Sequence, residues 1–273
     1  MKLACSSKLA PGETFAQKLA NLEAYGYEGV EVRILEEDAT PEHVDEVAEA
    51  LAESPLEACS VIVPSPVYMS PLDSKAAMHE KAENAKLALD IGARLGGGVF
   101  ITPEYCAQVP LPLWNRPEPL SQRQKDRELL FGLLSEITEY AERVSAMAVL
   151  EPINRYETRF YHNLDEVAAV LEEVGSPNLK MVIDFFHMNI EEADIAASIE
   201  RNGDWIYHVQ LGDSNRELPG GGHIDFASGF DALQSVGYAR YMALECRIPE
   251  NPAEELPTCA SYLQSCIDGG RAG

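Results

Sequence analysis

Eight short runs rich in β-branched and aliphatic residues recur along the chain, and no other feature constrains its fold as tightly. They read KLACSS, EGVEVRI, LEACSVIV, GGVFITP, MAVLEPI, KMVIDFF, IYHVQLG and YMALECRI. Most are apolar with little alternation, the pattern of parallel strands covered on both faces. Segments with helical periodicity separate them. Eight strands alternating with helices over residues 1–273 predict one domain, a single (β/α)8 barrel. A doubly wound sheet fits less well, because no GxGxxG follows the first run and no point of strand-order reversal is evident.

The helix boundaries carry their own signals. In ATPEHVDEVAEALAE, Thr40 is placed to cap a helix that Pro41 opens, with Val44, Val47, Ala48 and Leu51 on one face. Leu130, Leu133, Leu134, Ile137, Ala141 and Val144 form a second such face. Asn163 with Glu166 has the spacing of a capping box, and Gly175 is placed to end that helix. The Pro-rich stretch QVPLPLWNRPEPL between the fourth strand and the next helix is expected to be a long loop.

Charge limits the function classes. The chain has 45 acidic residues against 21 basic ones, a formal charge of −24. Such a surface repels phosphate backbones and argues against nucleic-acid binding. No apolar run approaches the roughly 18–20 residues that span a bilayer. The six cysteines show no CxxC pair, which favours reduced thiols and a cytoplasmic setting over a disulfide framework or a zinc finger.

In a barrel of this kind, chemistry sits at the C-terminal ends of the strands. Four polar residues interrupt consecutive strand ends there: Glu151 in VLEPINRYE, Asp184 in MVIDFFHMN, Gln210 in HVQLGDSNR and Glu245 in MALECRI. An unpaired carboxylate at the end of a buried apolar run is costly. Three of them at one mouth repel each other, and a bound divalent cation is the simplest way to hold them together. Three carboxylates and an amide oxygen form a hard donor set, which favours Mn²⁺, with Mg²⁺ or Co²⁺ as alternatives. Residues i and i+2 of a strand share a face, so His208 and Gln210 both point inward. Gln210 is nearer the mouth and is the expected ligand, while His208 is expected to be a core histidine. His43 and His79 fall in acidic helical patterns and read as solvated. His162 and His223 fall in loops, and the LPGGG before His223 is a flexible stretch placed to close over a ligand or approach a phosphate, or to form a helix N-cap loop with no ligand role.

EPINRYE, DFFHMNIEE, HVQLGDSNRELPGGGHIDF and LEC together resemble the xylose-isomerase-like sugar isomerase and epimerase family, and within it the ketose 3-epimerase branch. The resemblance is strongest from residue 151 onward. It implies Glu151, Asp184 and Glu245 as metal-binding carboxylates, with Glu151 and Glu245 also the acid/base pair. It further implies Glu157, His187 and Arg216 as residues that hold the substrate's oxygens, and Trp114 as an aromatic wall of the sugar pocket. Relatives of this kind imply a homo-oligomer, a dimer or tetramer. The departure is Gln210, where the epimerases usually carry a histidine; hydroxypyruvate isomerases resemble this chain in using glutamine there.

The expected reaction is metal-dependent C3 epimerisation of a small free ketose through an enediolate. The alternatives are an aldose–ketose isomerase, including a hydroxypyruvate type, and a dehydratase or lyase acting on a keto-polyol.

Overall fold

The computed structural model describes residues 1–105 and 120–269. Trp114 and most of the Pro-rich loop therefore lie outside the described residues. Along the chain run β1 (Lys2–Ser6), α1 (Phe15–Ala24), β2 (Gly29–Arg33), α2 (Pro41–Ala52), β3 (Glu57–Ile62), α3 (Lys75–Leu95), β4 (Gly98–Ile101) and α4 (Leu120–Val144). The second half continues with β5 (Met147–Leu150), α5 (Leu164–Val174), β6 (Leu179–Asp184), α6 (Phe185–Glu191), α7 (Ile195–Asn202), β7 (Ile206–Leu211), α8 (Phe226–Ser235), β8 (Tyr241–Leu244) and α9 (Pro252–Gly269). All neighbouring strands pair in parallel, and β8 closes on β1. The fold is a single (β/α)8 barrel, as the eight apolar runs predict.

Strand alternation divides the core in two. Outward-facing residues such as Val30, Val32, Leu150, Ile183, Val209 and Leu244 pack under the helices in one large cluster. Inside the barrel, Phe100, Val149 and Val182 form one small apolar cluster, and Ala4, Cys59, Tyr241 and Ala243 form another. The interior columns then turn polar toward the mouth. Val149 is followed at i+2 by Glu151, Val182 by Asp184, His208 by Gln210 and Ala243 by Glu245. The apolar clusters thus form a floor, and the carboxylates stand two residues above it.

The local signals for the helices translate into structure with one change. Thr40 Oγ1 accepts from the His43 N–H at 3.2 Å, with Pro41 opening α2. Asn163 Oδ1 accepts from the Glu166 N–H at 2.9 Å, and Gly175 ends α5 with φ of 69°. The Glu166 carboxylate, however, reaches back to the N–H of His162 at 2.7 Å rather than to Asn163, so the expected capping box is shifted by one residue. The five cysteines of the described residues are free thiols. No described helix is long and apolar enough to cross a membrane.

Candidate active site

Each polar side chain of the mouth is fixed by the end of its own strand. Glu151 directly follows β5, Asp184 ends β6, Gln210 is the penultimate residue of β7 and Glu245 directly follows β8. The register pairs Asp184 with Gln210 and Gln210 with Ala243, which aligns these ends at one level. Asp184 has two duties. Its Oδ1 caps α6 by accepting from the Phe186 N–H at 2.8 Å, and its Oδ2 faces the mouth.

Arg216 ties two of the acids together. One guanidinium nitrogen donates to Asp184 Oδ2, and the other donates to Glu245 Oε2 at 2.6 Å. The guanidinium also stacks on the Phe186 ring, 4.7 Å from its centroid. Arg216 has a left-handed backbone with φ of 62°, an unusual state for a residue with a side chain. Two hydrogen bonds hold it: its N–H donates to Asp213 O at 2.7 Å, and the Arg247 N–H donates to Arg216 O at 2.8 Å. The second joins the loop after β7 to the chain after β8.

Glu245 also meets Lys8 Nζ, and Arg33 Nη1 stands 3.7 Å away. Burial alone would raise its carboxyl pKa, but Arg216, Lys8 and Arg33 outweigh burial and hold it below the usual range. Glu151 is in the opposite position. Its side chain is 11% exposed, and no lysine or arginine pairs with it among the described residues. Burial, followed by the nearby Asp184, pushes its carboxyl well above the usual range. Burial likewise pushes Asp184 up to about 6, against the pull of Arg216.

His187, on α6, brings Nε2 to 3.4 Å from Glu151 Oε1 and 3.9 Å from Asp184 Oδ2. Burial and then Arg216 lower its pKa to about 4, so the ring is neutral near pH 7. One ligand atom each of Glu151, Asp184 and His187 lies within 4.8 Å of the other two. A second His/Glu group, His79, Glu83 and Glu136, is on the outer helices α3 and α4. Lys86 Nζ sits 2.6 Å from both of its glutamates, so this group is a surface ion pair with a bystander histidine.

Beneath the mouth is a group that the strand-end argument misses. Glu31, on β2, is fully buried, and its Oε2 accepts from Gln210 Nε2 at 2.9 Å and from Ser60 Oγ at 3.0 Å. His208 Nε2 is 3.3 Å from the same oxygen, and Phe100 packs edge-on to the His208 ring. His208 is thus a buried, partnered histidine of the core, as expected. Glu31 Oε1 is buried with no partner. Lys8 and Arg33 are likewise additions that strand-end reasoning does not reach.

Glu157 is held by Tyr105 Oη at 2.6 Å and Asn154 Nδ2 at 3.0 Å. The loop carrying His223 is pinned rather than free. The Asp213 carboxylate accepts from the N–H groups of Ser214, Gly220 and Ile224 at 2.7, 2.8 and 3.2 Å. Gly222 is required there, since a Cβ would stand 2.2 Å from Asp213 Oδ1. His223 Nδ1 meets Ser214 Oγ at 3.0 Å within the same loop. The LPGGG stretch is therefore organised around one buried carboxylate, and the flexibility its glycines suggest is taken up in that turn.

The donor chemistry fits a divalent cation. Three carboxylates converge with one arginine between two of them, the third has no lysine or arginine pair among the described residues, and a fourth carboxylate below carries a buried orphan oxygen. The four carboxylates outnumber Arg216, Lys8 and Arg33, and oxygen donors of this kind suit Mn²⁺ or Mg²⁺.

A sequence profile of the xylose isomerase-like TIM barrel family matches residues 19–266. The chain belongs to that family. Among members of the xylose isomerase-like family, it is 24% identical to the 3-dehydro-D-guloside 4-epimerase of Escherichia coli over 97% of this chain and 100% of that one. It is 32% identical to an L-ribulose 3-epimerase of Mesorhizobium japonicum over 60% of this chain, a stretch spanning about half (51%) of that relative's length. The crystal structure of a 3-keto-D-glucoside 4-epimerase from E. coli, apo form, superposes with a TM-score of 0.85 at 24% identity, covering 97% of this chain and 100% of that one. Both relatives are named as sugar epimerases.

Proposed function

We propose that this enzyme inverts a carbon next to the ketone of a small sugar, in the first instance C3 of a free ketose, with the help of one divalent cation. The observation that carries the reading is the convergence of Glu151, Asp184 and Glu245 at the ends of β5, β6 and β8, above an apolar floor. Glu151, Asp184, Gln210 and Glu245 would hold the cation, with Mn²⁺ the preferred ion. When bound, the cation supplies electrostatic stabilisation of the negative charge that develops on the substrate's carbonyl and neighbouring hydroxyl oxygens.

The protein's own groups do the rest. A C–H beside a ketone is weakly acidic because the carbonyl accepts the electron pair as an enediolate. One of Glu151 and Glu245, three strands apart round the barrel, takes that proton as a carboxylate on one face, and the other, carrying a proton, gives it to the carbon on the opposite face. Inversion follows from having a carboxylate on each side. Arg216 and His187 donate hydrogen bonds to the sugar's oxygens, and Glu157, held by Tyr105 and Asn154, accepts from a hydroxyl. The same chemistry applies to C4 beside a C3 ketone. That variant draws support from the full-length likeness to the E. coli 4-epimerase.

The test is turnover in D₂O with a panel of ketopentoses, ketohexoses, 3-keto-glycosides and hydroxypyruvate, products being separated by chromatography. Epimerisation places deuterium at the inverted carbon. Label confined to C1 or C2 of an aldose–ketose pair, or loss of water from the sugar, rejects the epimerase reading in favour of an isomerase or a dehydratase.

A further inference from the structure

Asn154 follows β5 by four residues and is 1% exposed. Its side-chain Oδ1 accepts from the Tyr156 N–H at 3.0 Å. Its Nδ2 faces Glu157 Oε1 at 3.0 Å and His187 Nδ1 at 2.8 Å. Two of these partners fix which way the amide points. A backbone N–H only donates, and a carboxylate only accepts. Nδ2, with its two hydrogens, therefore meets both Glu157 and His187.

The backbone N–H of Asn154 points at the same ring nitrogen, at 3.4 Å. A nitrogen that faces two N–H donors has to offer its lone pair. This excludes both the tautomer with hydrogen on Nδ1 and the doubly protonated ring. The single ring hydrogen is on Nε2, the nitrogen that faces Glu151 and Asp184. An Nε2 that carries hydrogen has no lone pair for a cation.

We propose that Asn154 is a positioning residue that fixes His187 as its Nε2–H tautomer, so that the ring serves as a hydrogen-bond donor to a substrate oxygen and not as a metal ligand. This separates His187 from Glu151 and Asp184, its neighbours within ligand distance. The substrate half of the statement rests on the proposed epimerase function, whereas the tautomer does not.

The experiment is long-range ¹H–¹⁵N correlation on protein labelled with ring-¹⁵N histidine, with His187 assigned by the signals lost in His187→Gln. The wild-type ring is expected to show a bare Nδ1 and a protonated Nε2, unchanged in protonation when Mg²⁺ is added. A proton on Nδ1, or an Nε2 that loses its proton to bind Mg²⁺, overturns the proposal without need of any variant. Asn154→Asp keeps the shape but presents an acceptor to Nδ1. It is expected to draw the ring hydrogen there and to lower kcat about tenfold or more, with KM changed less than about threefold. Retention of the Nε2–H ring in Asn154→Asp removes the positioning role. Failure of the wild-type enzyme to epimerise any sugar refutes the proposed function and leaves the tautomer result standing.

Discussion

The amide of Gln210 gives a hydrogen of Nε2 to the buried Glu31 carboxylate at 2.9 Å. Because a carboxylate can only accept, this bond decides which end of the amide faces Glu31 and turns Gln210 Oε1 away from it. The orientation of the proposed ligand is thus set by a residue on the far side of the barrel, five strands away in chain order. Partners of this kind are worth roughly 10–100-fold in metal affinity. Glu31→Gln is expected to weaken Mn²⁺ binding about tenfold, read by titration calorimetry on chelator-treated protein. An affinity within about twofold of wild type would deprive Glu31 of that role. Gln210→His is expected to retain binding, with metal preference shifted toward softer ions.

Chelation provides the direct test of the cation. Exhaustive treatment with a chelator is expected to abolish turnover, and added Mn²⁺ to restore it. Stability should respond without any assay of activity, since an ion that binds only the folded state adds about 2.7 kcal/mol at one hundred times its Kd. A metal-free protein with full turnover and an unchanged Tm on Mn²⁺ addition would end the metal hypothesis.

Glu151→Gln and Glu245→Gln preserve side-chain shape and remove proton transfer. Each is expected to lower kcat on the order of 10²–10⁴. Because both are also proposed ligands, bound metal is measured in parallel, and the comparison is made at saturating Mn²⁺. A Gln variant that binds metal and still turns over at near the wild-type rate would exclude that residue from the acid/base pair.

Arg216→Lys is expected to be damaging despite conserving charge. The arginine spans Asp184 and Glu245 with two nitrogens of one planar group, and a lysine nitrogen cannot reproduce that fork. The expected loss in kcat/KM is about tenfold or more. A loss under about threefold, roughly 0.7 kcal/mol, would mean that the fork contributes little to transition-state binding.

Asp213 gives a prediction about pH. Burial raises its carboxyl pKa, but the N–H groups of Ser214, Gly222, Ile224 and Gly220 outweigh burial and hold it below the usual range. A folded-state pKa below the unfolded value of about 3.9 stabilises the protein above that pH, and the contribution fades as pH falls through the folded value. Asp213→Asn sets an NH₂ against N–H donors and is expected to cost about 1–3 kcal/mol near neutral pH. Urea unfolding of both proteins down to about pH 3 should show the difference shrinking in acid. A gap that stays constant would show that ionisation of Asp213 is not its source.

The barrel was legible because most strands are covered on both faces and so read as nearly unbroken apolar runs. The acids after β5, β6 and β8 stood out against that background. Glu31 did not. In GYEGVEVRI, an acid between Val30 and Val32 has the signature of a strand with one wet face, and only closure of the barrel turns that face inward. Asn154 lies within the quoted EPINRYE, yet its meaning depends on His187, 33 residues away. Lys8 and Arg33 reach Glu245 across the seam between β8 and the first two strands, which no local pattern encodes. Glu166 missed its expected partner by one residue because the choice between two adjacent N–H groups is made by the path of the chain into α5.

Below the ring of acids the bore is plugged by Phe100, Val149 and Val182 and by Ala4, Tyr241 and Ala243. Among the described residues, that floor leaves the C-terminal mouth as the doorway. Whatever enters to react must back out the way it came, and the next molecule waits outside until it has gone. If the proposed function holds, reactant and product share that passage, and a sugar slow to depart would throttle turnover however readily its C–H bond gave way.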